Sequence, residues 1–255
     1  MLDELLDFVS VRIAALWPPT RRAWREATLL LVQNEETLRR LPASTHSRAK
    51  LLNHALFADI PHINAVERGS HILCLGSFET RKGTRLVVEA LAHAGKDVRL
   101  VMVANEKGRK ALLRRARQLG VADRVEFRDP VPRAQVFGLL AGAAAAVFTG
   151  LREEGGMTLA EALLSGTPVI VLANGGARTL AEAATDPDRV LLVEPSGVAE
   201  TTRRIGKAMT QFSRIAPSSK SPMLNQKAAE AILHEAFEVV GRGRAEPKPD
   251  APDLP

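Results

Sequence analysis

Cysteine is almost missing: the 255 residues contain one, Cys74. An intrachain disulfide is therefore excluded, and the apolar run "HILCLGSF" around it predicts a small buried hydrophobe rather than a reactive thiolate. Long apolar runs are also lacking. "LAGAAAAVF" and "TPVIVLA" fall far short of the ~20 residues that cross a bilayer as a helix. No leader with a positive start, an apolar stretch and a small-residue cleavage site opens the chain, so a cytoplasmic location is expected. Neither G-x-G-x-x-G nor G-x-x-x-x-G-K-[ST] occurs, which removes the main support for a dinucleotide site or a P-loop. A dehydrogenase reading, which would use Glu106 after the second strand as a ribose acid, loses its footing with them. The six histidines show no metal-ligand spacing, and no metal site is expected.

What is present is an apolar content of 45%, enough for one large core or two small ones, and 35 basic against 29 acidic residues. The net charge of +6 favours anionic partners such as nucleotides, phosphates or acidic lipid surfaces, and names none of them. From about residue 70, short runs rich in Val, Ile and Leu alternate with stretches of helical periodicity. The runs predict strands at 71–77, 98–104, 125–128, 145–149, 168–173 and 190–194. Helices are predicted near 84–94, 106–119, 133–142, 156–165, 177–184 and 198–213. Continuous apolar strands must be buried on both faces, so the fold class is α/β, a doubly wound, Rossmann-like parallel sheet.

Outside that region the pattern changes. In residues 1–68, "LLDFVSVRIAALW" is amphipathic through Leu5, Phe8, Val9 and Ile13, "TLLLVQNEETLRRL" reads as a strand opening a capped helix, and one short strand follows in a connecting loop. Residues 69–240 form the main domain, closing with a helix near 223–240. In 241–255 the Pro, Gly and charge content predicts disorder.

In a doubly wound sheet the ligand lies beyond the carboxyl ends of the strands. The fourth loop and the helix after it, "EEGGMTLAEA", are the richest in chemistry. Gly155 and Gly156 let backbone approach a ligand, and the next helix points free N–H groups and its positive end into the crevice, which suits phosphate or hydroxyl-rich sugar. Glu153 in the loop and Glu161 in the helix place two carboxylates about 7 to 8 Å apart along the axis at ~1.5 Å per residue. They can hold two ends of one polyhydroxylated ligand, or be a wet loop and an exposed helix residue. In the first loop Lys82 sits beside another helix start, a compact charge for a phosphate. Lys107, Lys110, Arg114 and Arg117 recur at helical spacing, as a solvated face or a contact for anionic lipid or a partner.

The stretches "ILCLGSFETRKGTRLVVEALA", "RVEFRDPVPRAQVFGLLAGAAAAVFTG" and "REEGGMTLAEALLSGTPVIVLANGGARTLAEA" resemble the carboxyl-terminal, donor-binding domain of GT-B glycosyltransferases, in particular family 4, the group 1 retaining enzymes. The resemblance covers about residues 70–215, and its most specific part is Glu-x7-Glu, from Glu153 to Glu161. It implies a nucleotide diphosphate sugar as donor, no metal or other cofactor, and no nucleic acid partner. By the same resemblance Glu153 contacts the sugar hydroxyls, Glu161 the ribose and Lys82 the diphosphate, so that Glu153 and Lys82 carry the catalytic roles. Val131 and Pro132 flank the base, and Gly155, Gly156 and Met157 line the sugar and phosphate path.

There are departures from the family pattern. Gly76 is followed by Ser77 where the family has a second diphosphate cation, a place Arg81 can fill. Arg152 stands where an aromatic is common and can face phosphate. Gly175-Gly176 leads into Ala177, Arg178 and Thr179 instead of the usual acid. Residues 1–68 resemble only the last part of an acceptor domain plus the interdomain link. Three readings follow: a glycosyltransferase acting on an unidentified acceptor, with peripheral membrane contact open to it; a donor-binding subunit whose partner protein supplies the acceptor domain; and an inactive truncated relative.

Overall fold

The computed structural model of the chain describes residues 16–57, 67–76, 80–103, 105–106, 108–214, 222–224 and 226–245. Two compact units result, one of Met1–Leu52 with Glu230–Pro255 and one of Asn53–Ala229. The amphipathic start, most of the tail, Ser77 and Lys107 lie outside the described residues.

In the smaller unit α1 (Pro18–Glu26) precedes β1 (Leu30–Val32), α2 (Glu35–Arg40) and β2 (Ala49–Leu51). The two strands pair in parallel, Val32 opposite Leu51. The helix expected from "NEETLRRL" is capped as its sequence requires: the Asn34 side chain accepts the Thr37 N–H at 2.8 Å. The last helix, α9 (Gln226–Ala245), runs past residue 240, where the sequence predicts its end. The first helix-breaking residue beyond it is Pro247.

The larger unit carries six parallel strands, β3 (Ile72–Leu75), β4 (Leu100–Val103), β5 (Val125–Arg128), β6 (Ala145–Phe148), β7 (Val169–Leu172) and β8 (Val190–Val193). Their spatial order is β5-β4-β3-β6-β7-β8, the doubly wound order in which winding reverses between the first and fourth strands of the unit. Between them run α3 (Thr84–Leu91), α4 (Arg109–Gln118), α5 (Arg133–Ala141), α6 (Met157–Leu164) and α7 (Gly175–Glu182), with α8 (Val198–Arg214) closing the sheet. Every strand expected from residue 70 onward is present.

Alternation along the strands explains why the runs inside the sheet are apolar throughout, while the edge strand β5 exposes Glu126 and Arg128. Ile72, Cys74, Leu100, Met102 and Ile170 point to one face, where Val87, Leu91, Leu112, Ile205 and Met209 complete a core. Leu73, Val101, Val103, Val169 and Val171 point to the other, against Leu140, Leu159, Leu163 and Leu180. A polar residue at any of these positions would face a dry core. Cys74 is buried as expected, and burial pushes its thiol up to about 12, so the nucleophilic thiolate is suppressed.

The carboxyl end of β6 is tied to the start of α3 by Thr149, whose hydroxyl reaches the Gly83 carbonyl at 3.0 Å. Gly83 caps α3 in the left-handed region at φ 62°, and a Cβ placed there would fall 2.0 Å from the Thr149 carbonyl oxygen. Gly120, at φ 67°, has nothing within 4 Å of the same position. Gly120→Ala should therefore cost only the left-handed penalty of about 1–2 kcal/mol. Gly83→Ala adds a backbone collision and should lower the midpoint of urea unfolding clearly more, as measured on the two variants side by side.

Candidate functional site

The reversal of winding opens a cleft beyond β3 and β6. A cavity of about 140 Å³ lies there, lined among others by Gly76, Lys82, Thr149, Glu153, Gly156 and Met157. A larger cavity of about 800 Å³ lies between α3, α4 and the start of α8, with Leu86, Leu112, Leu151 and Val198 in its wall. The smaller one is the better candidate site, because opposite charges converge in it at the position where doubly wound sheets bind ligands.

Those charges are Lys82, at the end of the turn before α3, and Glu153, in the loop before α6. The Lys82 ammonium donates to Glu153 Oε2 at 2.8 Å, with side-chain exposures of 28% and 19%. The other carboxylate oxygen accepts the Gly156 N–H at 3.2 Å, so Glu153 also holds the backbone that opens α6. Its own carbonyl accepts the Gly176 N–H at 2.7 Å. The α7 helix begins two residues earlier than the sequence predicts, with Gly175 and Gly176 in its first turn. A Cβ at residue 176 would sit 2.0 Å from the Glu154 carbonyl oxygen; its lack lets the helix start slide beneath the loop.

Glu161 is the second carboxylate, and its surroundings differ. It lies inside α6 with 8% side-chain exposure, and its partner is Arg133, the first residue of α5, at 3.1 Å. That guanidinium is 66% exposed and compensates weakly. Burial pushes the Glu161 carboxyl above the usual carboxylate range, with Arg133 opposing.

The remaining expected residues divide. Gly76 ends β3, its N–H bonded to the Val103 carbonyl at 3.2 Å, and Met157 begins α6; both line the cavity. Pro132 caps α5 next to Arg133, with Val131 before it. Arg81 and Arg152 are exposed and Gly155 is buried; none of the three is in the cavity wall, and neither are Val131, Pro132 and Glu161. The Arg81 carbonyl accepts the Leu151 N–H at 2.7 Å. Arg178, where the sequence departs from the family, is held by Glu194 at 2.6 Å and Glu182 at 3.3 Å. On α4, Lys110, Arg114 and Arg117 are exposed.

Sequence reasoning missed Arg133, Thr149 and Asn174, whose side-chain amide donates to the Gly150 carbonyl at 2.5 Å. Only Thr149 and Arg133 carried a signal, by standing directly after a strand and directly after the Val-Pro pair.

The sign of the Glu161 effect is fixed by its raised carboxyl. The unfolded chain releases this proton at lower pH than the folded one, so stability falls as pH rises from the unfolded to the folded value. Glu161→Gln should therefore raise the melting temperature at neutral pH. That gain should vanish near pH 4, about the unperturbed carboxylate value, in scanning calorimetry at the two pH values.

With this geometry in hand, known proteins can be compared. A segment is 36% identical over 113 residues to a D-inositol 3-phosphate glycosyltransferase of Xylanimonas cellulosilytica, covering 43% of this chain and 27% of that protein. Another is 28% identical over 146 residues to a 2-deoxystreptamine glucosyltransferase of Streptomyces kanamyceticus, covering 56% and 37%. The matches thus span well under half of these relatives. Among solved structures, HepE of Anabaena in complex with UDP and glucose superposes with a TM-score of 0.60 at 20% identity, covering 91% of this chain and 64% of that one. A sucrose-phosphate synthase of Thermosynechococcus elongatus gives 0.59 at 21%, covering 88% and 61%. These likenesses show the fold. Residues 58–214, more than half of the chain and including both carboxylates and Lys82, match the model for Glycosyl transferases group 1, and the chain belongs to that family.

Proposed function

We propose that the larger unit binds a nucleotide diphosphate sugar in the cleft beyond β3 and β6, and that the chain takes part in retaining, metal-independent transfer of the glycosyl group. The observation that carries this reading is the Lys82–Glu153 pair at 2.8 Å. A half-buried ammonium and carboxylate that satisfy each other in the cleft are suited to a ligand that replaces both partners at once. A diphosphate takes Lys82 and sugar hydroxyls donate to Glu153, while Glu161 accepts from the ribose and Val131 with Pro132 borders the base. In the transfer step Lys82 and the N-terminus of α6 stabilise the charge that grows on the leaving diphosphate. Arg81 and Arg152 belong to the outer part of this proposed site.

A second reading concerns the acceptor. By it, another polypeptide supplies the acceptor surface, with residues 1–68 as the end of an acceptor domain and its link. Transfer seen only after a second protein is added back would support this; transfer by the isolated chain would overturn it.

Calorimetry of the purified chain against UDP, GDP and ADP sugars tests the donor reading. One of them should bind. Lys82→Ala should weaken both that sugar nucleotide and its bare diphosphate by about 10- to 100-fold, the worth of a hydrogen bond to a charged group. Glu153→Gln should weaken the sugar nucleotide while leaving the bare diphosphate as tight or tighter, because Lys82 is released from its partner. Binding of none of the panel would sink the donor reading and leave the inactive relative.

A further inference from the structure

We infer that His54 is a positioning residue of the donor loop, a wedge that fixes Gly155 and through it the carboxylate of Glu153. The inference rests on the donor reading for its functional meaning, and on geometry for its existence.

A Cβ built on Gly155 would lie 2.3 Å from His54 Cε1, 3.0 Å from Nδ1 and 3.1 Å from Nε2. The leading edge of the imidazole therefore stands directly on the Gly155 Cα, with its two nitrogens to either side. Gly155 does not have a positive φ, so backbone conformation does not demand glycine there. The ring does.

The His54 backbone is firmly held. Asn53 and Ala55 on either side are 1% and 0% exposed, and Ala55 belongs to the same core as Leu159 and Leu163 of α6. The Asn53 side chain accepts the Ala55 N–H at 2.9 Å, and its carbonyl accepts the Leu56 N–H at 3.1 Å. His54 is thus an exposed side chain on a buried, hydrogen-bonded turn. From there it presses on one part of the donor loop, while Gly176 meets the Glu154 carbonyl.

What it presses on matters because Gly155 lies in the chain between Glu153 and Gly156, whose N–H the Glu153 carboxylate holds. Glu153 supplies the oxygens for Lys82 and for the Gly156 N–H. A Gly155 freed from the ring gives this segment room to move, and the carboxylate loses its fixed distance to Lys82. A sugar nucleotide, which by the donor reading uses both groups, depends on that distance. A bare diphosphate, which uses Lys82, depends on it less.

The test compares the wild-type chain with His54→Ala, Gly155→Ala and the double variant His54→Ala/Gly155→Ala, using UDP-glucose and UDP as calorimetric probes. The Gly156 amide is followed by NMR without ligand, with Glu153→Gln as the reference for a broken Glu153 contact. His54→Ala should shift the Gly156 amide in the direction seen for Glu153→Gln and lower UDP-glucose affinity about tenfold, with UDP affinity changed less than about twofold. Gly155→Ala pushes the ring away and so repeats the same lesion. The double variant should lose no more than either single one, the non-additivity expected of two groups in one contact. Additive losses or an unmoved Gly156 amide in His54→Ala would each overturn the wedge. If UDP-glucose fails to bind the wild-type chain, the amide shifts still decide the positioning role, separately from the donor reading.

Discussion

The site depends on the contact between Lys82 and Glu153, two residues far apart in the chain that meet at 2.8 Å because the sheet reverses its winding between β3 and β6. Each is partly withdrawn from water, and each is costly to leave without a partner. That cost creates a selection rule. A ligand offering only phosphate satisfies Lys82 and strands the carboxylate; one offering only hydroxyls does the reverse. A ligand that presents an anionic group and hydroxyl donors at the right separation exchanges one complete set of partners for another. A nucleotide diphosphate sugar has this composition, and the family to which the chain belongs acts on sugars.

The supports of this pair reach outward through backbone. Thr149 fastens the end of β6 to the carbonyl before α3, Gly176 donates its N–H to the Glu153 carbonyl, and His54 stands on Gly155. None of these contacts adds charge to the site. They fix where charge sits, and preorganised placement is the larger part of what an electrostatic site contributes.

The strands and helices of the larger unit were legible in the sequence because a parallel sheet buried on both faces imposes apolar runs on its inner strands, spaced by stretches of helical period. The two carboxylates and Lys82 were legible through loop position and family resemblance. The pairings were not. Periodicity is a local signal, and nothing in the neighbourhood of residue 161 announces that its partner is Arg133, or near residue 178 that its charge is taken by Glu194. The start of α7 was misplaced by two residues for a related reason: glycines read as a loop unless the close approach that requires them, here to the Glu154 carbonyl, is already known. His54 was passed over because a lone histidine without ligand spacing carries no signal of its own.

The two carboxylates of Glu-x7-Glu are eight positions apart and physically unlike. Glu153 receives an ammonium and a backbone N–H. Glu161 is more deeply buried and has only a largely exposed guanidinium beside it, which leaves its charged form poorly compensated. Hydrogen bonds count for more to such a group, because the water that would otherwise supply them has already been removed. A hydrogen-bond donor brought to Glu161 therefore gains more than it would at an exposed acid, and the fold bears the cost of the buried charge until one is supplied.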